Sequence, residues 1–406
     1  MSPVSILMRS IRRPRSSPND RELRLWKVGR ALTVTFAVAV LAAGSAFYSL
    51  VVLLDIQEID TTAKLDAKTL FDLVKLSFGV VAGAGALVAL VVAYRRQRVD
   101  EAGAHRDATR LHTERFSQAV DKLGSDSPAV RLGGVHALAG LADDAPDDGL
   151  RQTCIDVLCA YLQLPFTPDP GTDPAVQEER HRYLAFRKVR HTILRLIGDH
   201  YRRPRGTHRS WEGCDVDLTG VTIDGSMDFR GAVFSSGMVD FSGAVFSDGT
   251  VDFRDTVFSG GAVNFIDATF SGGAVSFGGA TFSGGAVYLH GAVFSGGEVS
   301  FNGAVFSGGA VFFSGAVFSD STVYFSNAVF SDRVVFDSAV FSGGAVFFSG
   351  AVFSDGAVFF SNAVFSGSNV SFAGSTGSTP QGLLTAVGTP APAEVVLSSA
   401  WLPPVP

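Results

Sequence analysis

Cysteine is scarce in this chain of 406 residues, which contains three, Cys154, Cys159 and Cys214. An odd number without the spacing of a secreted disulfide framework favours a reducing compartment. The sequence has no Cys-x2-Cys pair, and its eight histidines show no zinc-ligand spacing. The glycines match no phosphate-binding loop, and the repeated serines have no base near them in the pattern. The sequence therefore predicts no catalytic residue, no cofactor and no metal site.

Charged residues are also sparse, at 18% of the chain, whereas apolar residues make up 46%. The net charge of −6 is the sum of segments of opposite sign, so by itself it indicates no class of partner. The chain is instead rich in glycine, with 45 residues, and in phenylalanine, with 34. Most of both fall in one periodic segment, and this segment determines the predicted architecture.

From Val216 to Phe372 the sequence repeats at every twelfth position in the pattern V-x-F-x-G-A-V-F-S-x-G-x. Steps between central phenylalanines alternate between five and seven residues. Leu289 takes one Phe position, and the step from Phe330 to Phe336 is one residue short. We treat His290, which follows Leu289, as a chance variant. A short, fixed period is the signature of a solenoid, in which each unit buries its apolar side on the next.

A valine or a small residue stands two positions before each central Phe, as in Val239 with Phe241 and Ala244 with Phe246. Positions i and i−2 of an extended segment share one face, so these triplets are predicted to be short strands with both residues inward. Glycines between them supply the positive φ of sharp corners. Two Phe rings would crowd a coil made of a single repeat, and we predict four-sided coils of two repeats, or 24 residues, instead. One inward Phe column then contains residues 229, 253, 277, 301, 325, 348 and 372.

The five-residue step, the central Phe or Leu and the small residue before it resemble the pentapeptide-repeat proteins. The triplets 232–234 and 244–246 carry this resemblance, as does 216–218 followed by Ile223. It covers about two-fifths of the chain, with Phe in place of the usual Leu and every second unit stretched to seven residues. The resemblance implies a right-handed, four-sided β-helix. The layout of the whole chain is similar to that of membrane-anchored members of the family.

Two uncharged apolar runs, 31–54 and 77–94, precede the repeats. Both are long enough to cross a bilayer, so we predict two transmembrane helices rather than a cleaved leader; the alternative is that either run is a buried core helix. Basic residues before the first run and after the second predict a multi-pass protein of the cell membrane, with the N-terminus and the solenoid in the cytoplasm. The predicted segments are a basic N-terminus (1–30), transmembrane helix 1 (31–54), an outside loop (55–76), transmembrane helix 2 (77–94), a cytoplasmic helical region (95–210), the solenoid (211–372) and a Pro/Gly/Ser-rich tail (373–406).

The region before the repeats has helical periodicity. Ser127-Pro128 predicts a helix start with serine as N-cap, a second helix is predicted at 150–164, and a third starts at Asp173-Pro174. We expect this region to cap the first coil, because an exposed β-edge invites aggregation. The composition of the tail predicts mostly disorder, although 393–397 and Trp401 are apolar enough to fold back on the last coil.

Ten basic residues oppose three acids between 176 and 210. On a membrane-attached chain such a face is suited to contact with anionic lipid. A solvated helix face and contact with nucleic acid are the alternatives, of which nucleic acid is the least favoured. The residues that we select for lipid contact are Arg187, Lys188, Arg190, Arg202, Arg203 and Arg205.

The residue before each central Phe is predicted to point outward. In the V-x-F strands it is aspartate in the first coils and aromatic in the later ones. A continuous exposed apolar patch usually meets a partner, so we predict a protein partner or a second copy here. The alternative is a ladder that only stabilises neighbouring rungs. The predicted interaction residues are Tyr288, Phe312, Val335 and Phe359 on one side of the rod, together with Tyr324 and Phe347.

The function predicted from the sequence is that of a non-enzymatic, membrane-anchored scaffold or protein-interaction module. The family resemblance implies an alternative, because some pentapeptide-repeat proteins imitate the charge of DNA and bind topoisomerases. Residues 216–372 contain 13 acids and 3 arginines, so the segment has the net negative charge that such a mimic requires. Eight of these acids precede residue 270, however, so the charge does not extend along the whole rod.

Overall fold

The computed structural model describes residues 67–167, 169–354, 358–388 and 390–402, together with isolated helical positions between 33 and 48. The chain divides into two compact units, Met1–Arg106 and Asp107–Pro406. The solenoid and the elements at its two ends all belong to the second unit. The predicted basic N-terminus lies outside the described residues, as does most of the predicted first span, 31–54.

A helix of 57 residues, α1, spans Ala67–Leu123 and contains the run 77–94 that the sequence predicts to be a second span. Among the residues that the structure describes, no helix is both long enough and apolar enough to cross a membrane. The prediction of a transmembrane helix at 77–94 is therefore not supported. The helix does not end with this run but continues through a segment in which charged residues are frequent.

Three helices lie between α1 and the solenoid: α2 at Pro128–Asp143, α3 at Asp148–Gln163 and α4 at Gln177–Tyr201. Ser127 occupies the N-cap position of α2 and Pro128 the first turn, as predicted, but the serine side chain makes no capping hydrogen bond. The α3 helix begins before the predicted residue 150 because the carboxylate of Asp147 accepts a hydrogen bond from the Leu150 backbone N–H. A 3-10 turn at Pro174–Val176 precedes α4.

Very short strands on four faces form the solenoid, and we name these faces A to D in the order in which the chain visits them. Face A consists of Val216–Asp217, Met238–Asp240, Ala262–Asn264, Ala286–Tyr288, Val311–Phe312, Val334–Val335 and Val358–Phe359. Face C lies opposite and consists of Met227–Asp228, Thr250–Asp252, Ala274–Ser276, Glu298–Ser300, Thr322–Tyr324, Ala345–Phe347, Asn369–Ser371 and Val395–Val396.

Faces B and D complete the four sides. Face B consists of Thr222–Ile223, Val245–Phe246, Thr269–Phe270, Val293–Phe294, Val317–Phe318, Val340–Phe341 and Val364–Phe365. Face D consists of Val233–Phe234, Val257–Phe258, Thr281–Phe282, Val305–Phe306, Val329–Phe330, Val352–Phe353 and Thr376–Gly377. The result is a parallel β-solenoid of the right-handed type, with about seven coils.

The strand register confirms the predicted coil of 24 residues. Val239 pairs with Val263 on face A, and Phe246 pairs with Phe270 on face B. The residue missing from the repeat shortens one coil, in which Val311 pairs with Val334 rather than with the residue after it. The deletion falls in a corner, so every strand pair around it is kept.

The interior is a set of stacked phenylalanine columns. In the column predicted from the repeat, 229 to 372, successive ring centroids are 4.7–4.9 Å apart. This distance matches the spacing of hydrogen-bonded strands, about 4.8 Å, because each ring is attached to the strand above the previous one. Rings of opposite columns, half a coil apart, meet edge to face across the interior, as Phe253 and Phe265 do at 6.1 Å and 89°. All of these rings are fully buried.

The helical region covers the first coil, as expected. The Tyr201 ring of α4 stacks on Phe234 at 5.3 Å and meets Phe229 edge-on at 6.1 Å. The helix approaches the coil so closely at Gly198 that an added Cβ would lie 2.5 Å from the backbone oxygen of Asp228. Only glycine fits at such a distance.

The tail covers the last coil. Val395–Val396 adds a parallel strand to Asn369–Ser371, and a short helix, α5, spans Leu383–Val387. The Trp401 ring lies 5.6 Å from Phe372, and its N–H donates to the Gly377 backbone oxygen at 3.0 Å. The prediction that the end of the tail folds back is therefore confirmed. The prediction of disorder is wrong for most of the tail, of which the structure describes 373–388 and 390–402.

Candidate functional site

Four of the six predicted interaction residues form one row on face A, which we name the aromatic row: Tyr288, Phe312, Val335 and Phe359. They are direct register partners, Tyr288 with Phe312, Phe312 with Val335, and Val335 with Phe359. The rings of Tyr288 and Phe312 are parallel, with centroids 5.5 Å apart. The three aromatic side chains are partly exposed. The structure thus confirms the predicted alignment of these residues.

Two side chains that the sequence reasoning did not select lie on this row. The guanidinium carbon of Arg333 is 5.9 Å from the Phe312 ring centre and 5.7 Å from the Phe359 ring centre. It therefore lies over Val335, which is only 4% exposed. His290 stacks on the other end of the row, 5.3 Å from Phe312. Two features of the sequence could have drawn attention to Arg333: it stands in the one shortened corner, and it is the last arginine of the repeats.

The remaining two predicted residues, Tyr324 and Phe347, lie on face C. They are register partners with ring centroids 5.4 Å apart. Serines flank them on the same face, Ser300 on one side and Ser371 on the other. A period of half a coil places successive V-x-F strands on opposite faces, so the six residues form two separate surfaces rather than one.

Face A carries acidic side chains in its first coils and a single arginine over the aromatic row in its later coils. Its first coils present Asp217 and Asp240, whose carboxylates accept hydrogen bonds from nearby backbone N–H groups. Within the described part of the chain neither carboxylate has a basic side chain in ion-pair contact. The guanidinium group of Arg333, in the later coils, lies against the rings of Phe312 and Phe359, and no carboxylate of the described residues is within ion-pair distance of it. The face therefore has acidic first coils and aromatic later coils, with Arg333 lying within the aromatic row.

Several of the basic residues selected for lipid contact hold α4 to the first coil. Arg187 binds the carboxylate of Asp224 through Nε at 2.6 Å, and His191 Nε2 lies 3.0 Å from the same carboxylate. Burial disfavours the charged carboxylate, but these two partners outweigh burial and lower the pKa of Asp224 far below its usual range. Arg190 is 4% exposed and donates to two backbone oxygens.

The other selected basic residues differ in exposure. Arg202 bridges Asp228, at 2.9 Å, and Asp199. Arg203 donates to the Arg209 backbone oxygen at 3.3 Å, and Arg205 donates to the Ser236 hydroxyl at 3.0 Å. Lys188 is exposed. Five of the six thus have hydrogen-bond partners inside the protein, and contact of the set with lipid stays a prediction.

The acids of the first coils on face C are neutralised by arginines. Asp228 pairs with Arg230 at 2.8 Å and also with Arg202. Asp252 pairs with Arg254 at 2.6 Å and with Arg230 at 3.5 Å. These alternating pairs reduce the negative field that the acid count alone suggests. They favour a stabilising ladder over an imitation of a phosphate backbone.

The three cysteines are free, and they are packed into the second unit. Burial raises the pKa of the Cys154 thiol to about 11 and that of Cys159 to about 12. It also raises the pKa of Cys214 to about 11. Thiols with such raised pKa values are protonated at neutral pH, and they are therefore poor nucleophiles and poor metal ligands. In the described ranges, no group of three or more His, Cys, Asp or Glu residues is arranged to hold a metal ion.

No protein-family model matches the chain, and no curated protein matches it. The resemblance to pentapeptide-repeat proteins therefore depends on the repeat itself and on the coil that it forms, with four parallel faces and 24 residues per turn.

Proposed function

We propose that this protein is a non-enzymatic scaffold of pentapeptide-repeat type, whose solenoid binds a second copy of the chain through face A. The observation that carries the proposal is the aromatic row, in which three aromatic side chains stand in register at the rod surface. Aromatic rings half in water gain free energy when a partner covers them.

The charges of face A favour a second copy as the partner. An isologous dimer places the same surface of both chains against each other, with the two rods antiparallel on this face. With the two-fold axis near Tyr288, the acidic first coils, which carry Asp217 and Asp240, then approach Arg333 of the other copy. Opposite charges across an interface set its orientation, and the aromatic row supplies the apolar area.

Membrane attachment through 31–54 is a second part of the proposal, and it is supported by the sequence alone. This run carries no charge, and basic residues precede it. We place the solenoid in the cytoplasm, because three free cysteines suit a reducing compartment. A dimeric rod attached in this way would present its other faces to further proteins.

A topoisomerase-binding DNA mimic is the less supported alternative. The acids that would form its phosphate-like ladder are concentrated in the first coils. There, Asp228 and Asp252 are paired with arginines, and Asp224 is bound by α4. A mimic needs unpaired negative charge along its length.

The oligomeric state of the full chain tests the proposal. We expect sedimentation velocity to show a dimer for the wild type and a monomer for the double variant Phe312→Ser/Phe359→Ser, with unchanged circular dichroism. The matched control is Val329→Ser/Val352→Ser, which removes two apolar side chains from neighbouring rungs of face D and is expected to leave the dimer intact. A wild type that stays monomeric at all concentrations, or an equal loss in the control, would refute the role of face A.

The charge arrangement gives a second test. Arg333→Asp should weaken the dimer, and adding Asp240→Arg in the same chain should restore it, because the reversed pair again matches across an antiparallel interface. Failure of the double variant to recover would contradict the antiparallel arrangement, even if the aromatic row proves essential.

A further inference from the structure

A cavity of about 500 Å³ opens in the helical region, between α2, α3, α4 and the segment that follows α3. Its size lies within the range of small-molecule sites, roughly 300–1,000 Å³. Rings and guanidinium groups dominate its wall, with Glu179 as the one acid among the lining residues. The residues that matter here are Tyr161, Phe166, Tyr183, Phe186, Arg131, Arg182 and Arg190.

Arg190 is the most deeply placed of these arginines, at 4% exposure. It donates to the Leu162 backbone oxygen at 2.8 Å and to the Thr222 backbone oxygen at 3.2 Å. Its guanidinium carbon lies 4.9 Å from the centre of the Phe166 ring. These partners are neutral, and in the described residues no carboxylate lies within ion-pair distance of it. Asp224 is the acid that acts on Arg190 from a distance, and its carboxylate is already bound by Arg187 and His191. A buried charge that is only partly compensated is costly, so the site favours an anion.

Arg131 and Arg182 both lie against one ring. The guanidinium carbons of Arg131 and Arg182 are 4.7 Å and 5.8 Å from the centre of the Phe186 ring. Arg131 also donates to the Tyr161 hydroxyl oxygen at 3.1 Å. Neither arginine forms an ion pair within the described ranges. Contacts with ring faces orient a guanidinium group while leaving donors free for a ligand.

The remaining wall is flat and apolar. Phe166 and Tyr183 stack with centroids 5.3 Å apart and an interplanar angle of 30°. With three arginines against one exposed glutamate, the cavity has an excess of positive charge. Arginine forks match the geometry of carboxylate and phosphate oxygens, and the neighbouring rings offer a surface for a planar body.

We propose that this cavity binds a small organic anion, with a carboxylate or phosphate head on the arginines and a flat apolar body against Phe166 and Tyr183. Arg182 is the residue that best tests it. It is exposed, and in the described chain it contacts Phe186 but no carboxylate, so its loss should not disturb the fold. Arg190 is unsuitable because its hydrogen bonds join α4 to α3 and to the first coil.

The experiment is isothermal titration calorimetry of the full chain with phenyl phosphate, benzoate, inorganic phosphate and neutral benzyl alcohol. We expect the two ring-bearing anions to bind, inorganic phosphate to bind more weakly and benzyl alcohol to give no heat. Arg182→Gln should weaken phenyl phosphate binding by roughly tenfold or more, the effect of losing a charge-assisted hydrogen bond. Lys188→Gln, which removes an equal charge from the same helix outside the cavity, should leave binding unchanged.

A vesicle-binding assay distinguishes a lipid headgroup from a free small anion as the ligand. Binding to vesicles that contain phosphatidic acid, lost in Arg182→Gln and kept in Lys188→Gln, would mean that the cavity takes a lipid headgroup. Equal loss in both variants would show a general charge effect and overturn the proposal. It would also be overturned if neither ring-bearing anion binds the wild type, or if benzyl alcohol binds as well as phenyl phosphate does.

Discussion

Phe301 offers the sharpest test of how the solenoid is held together. Its ring is fully buried and lies between Phe277, at 4.7 Å, and Phe325, at 4.8 Å. The Phe313 ring of the opposite column meets it edge-on at 5.6 Å. The side chain therefore contacts three coils at once, and no water can replace it without opening the rod.

The expected cost of Phe301→Ala is about 3–5 kcal/mol, the range for removing a buried ring and leaving a cavity. The stacked backbone cannot collapse into the gap, because hydrogen bonds between strands hold neighbouring coils at about 4.8 Å, and this favours the upper end of the range. Phe301→Leu should cost about 1.5 kcal/mol or less, because hydrophobic exchanges that nearly conserve volume are well tolerated. Leu289 shows that a column accepts leucine, since it is fully buried at such a position.

Native-state hydrogen exchange is the appropriate assay, because a repeat protein can open coil by coil and a single melting temperature would average over the rod. We expect Phe301→Ala to speed exchange in the coils around residues 277–325 and to leave the coils near the helical region protected. Phe301→Leu should produce a small change in the same coils. Wild-type protection in the alanine variant would refute the stabilising role of this ring between coils, and uniform loss along the rod would show that the solenoid unfolds as one unit.

Three further predictions follow from the helical region and the corners. Gly198→Ala should lower the denaturation midpoint, because a Cβ there meets the backbone of the first coil. The control Gly133→Ala, in an open helical position, should raise the midpoint slightly. Equal effects of the two substitutions would contradict the close approach of α4 to the first coil. Asp224→Asn should destabilise the protein at pH 7 in urea denaturation. The pKa of Asp224 is lowered on folding, so its contribution to stability is fully present above the unfolded pKa, about 3.9, and disappears as the pH falls through the folded pKa. A stability difference between wild type and variant that grows as the pH falls would contradict this role of Asp224. Ser307→Cys, at an exposed corner, should react with an impermeant thiol reagent only after cell lysis, since the native thiols react slowly; labelling of intact cells would place the solenoid outside.

The amino-acid sequence by itself determined the solenoid. Its period, its inward phenylalanines and its coil of two repeats follow from which positions of an extended segment share a face, and the register of Val239 with Val263 agrees. This inference was possible because each coil repeats the environment of the previous one, so local pattern and tertiary contact contain the same information. The position of the shortened coil was readable for the same reason.

Only the tertiary structure decided which residues meet where the repeat ends or is broken. The sequence predicted that 393–397 folds back, but the pairing of Val395 with Val370 as a further strand depends on the unpaired backbone groups of the last coil. Arg333 lies against Phe312 and Phe359 of the neighbouring coils, and Arg190 meets Phe166 because α4 crosses the end of α3. These contacts join residues that have no common period. Their partners depend on how whole elements pack, and that is set by the shapes of the assembled surfaces rather than by the spacing of residues along the chain.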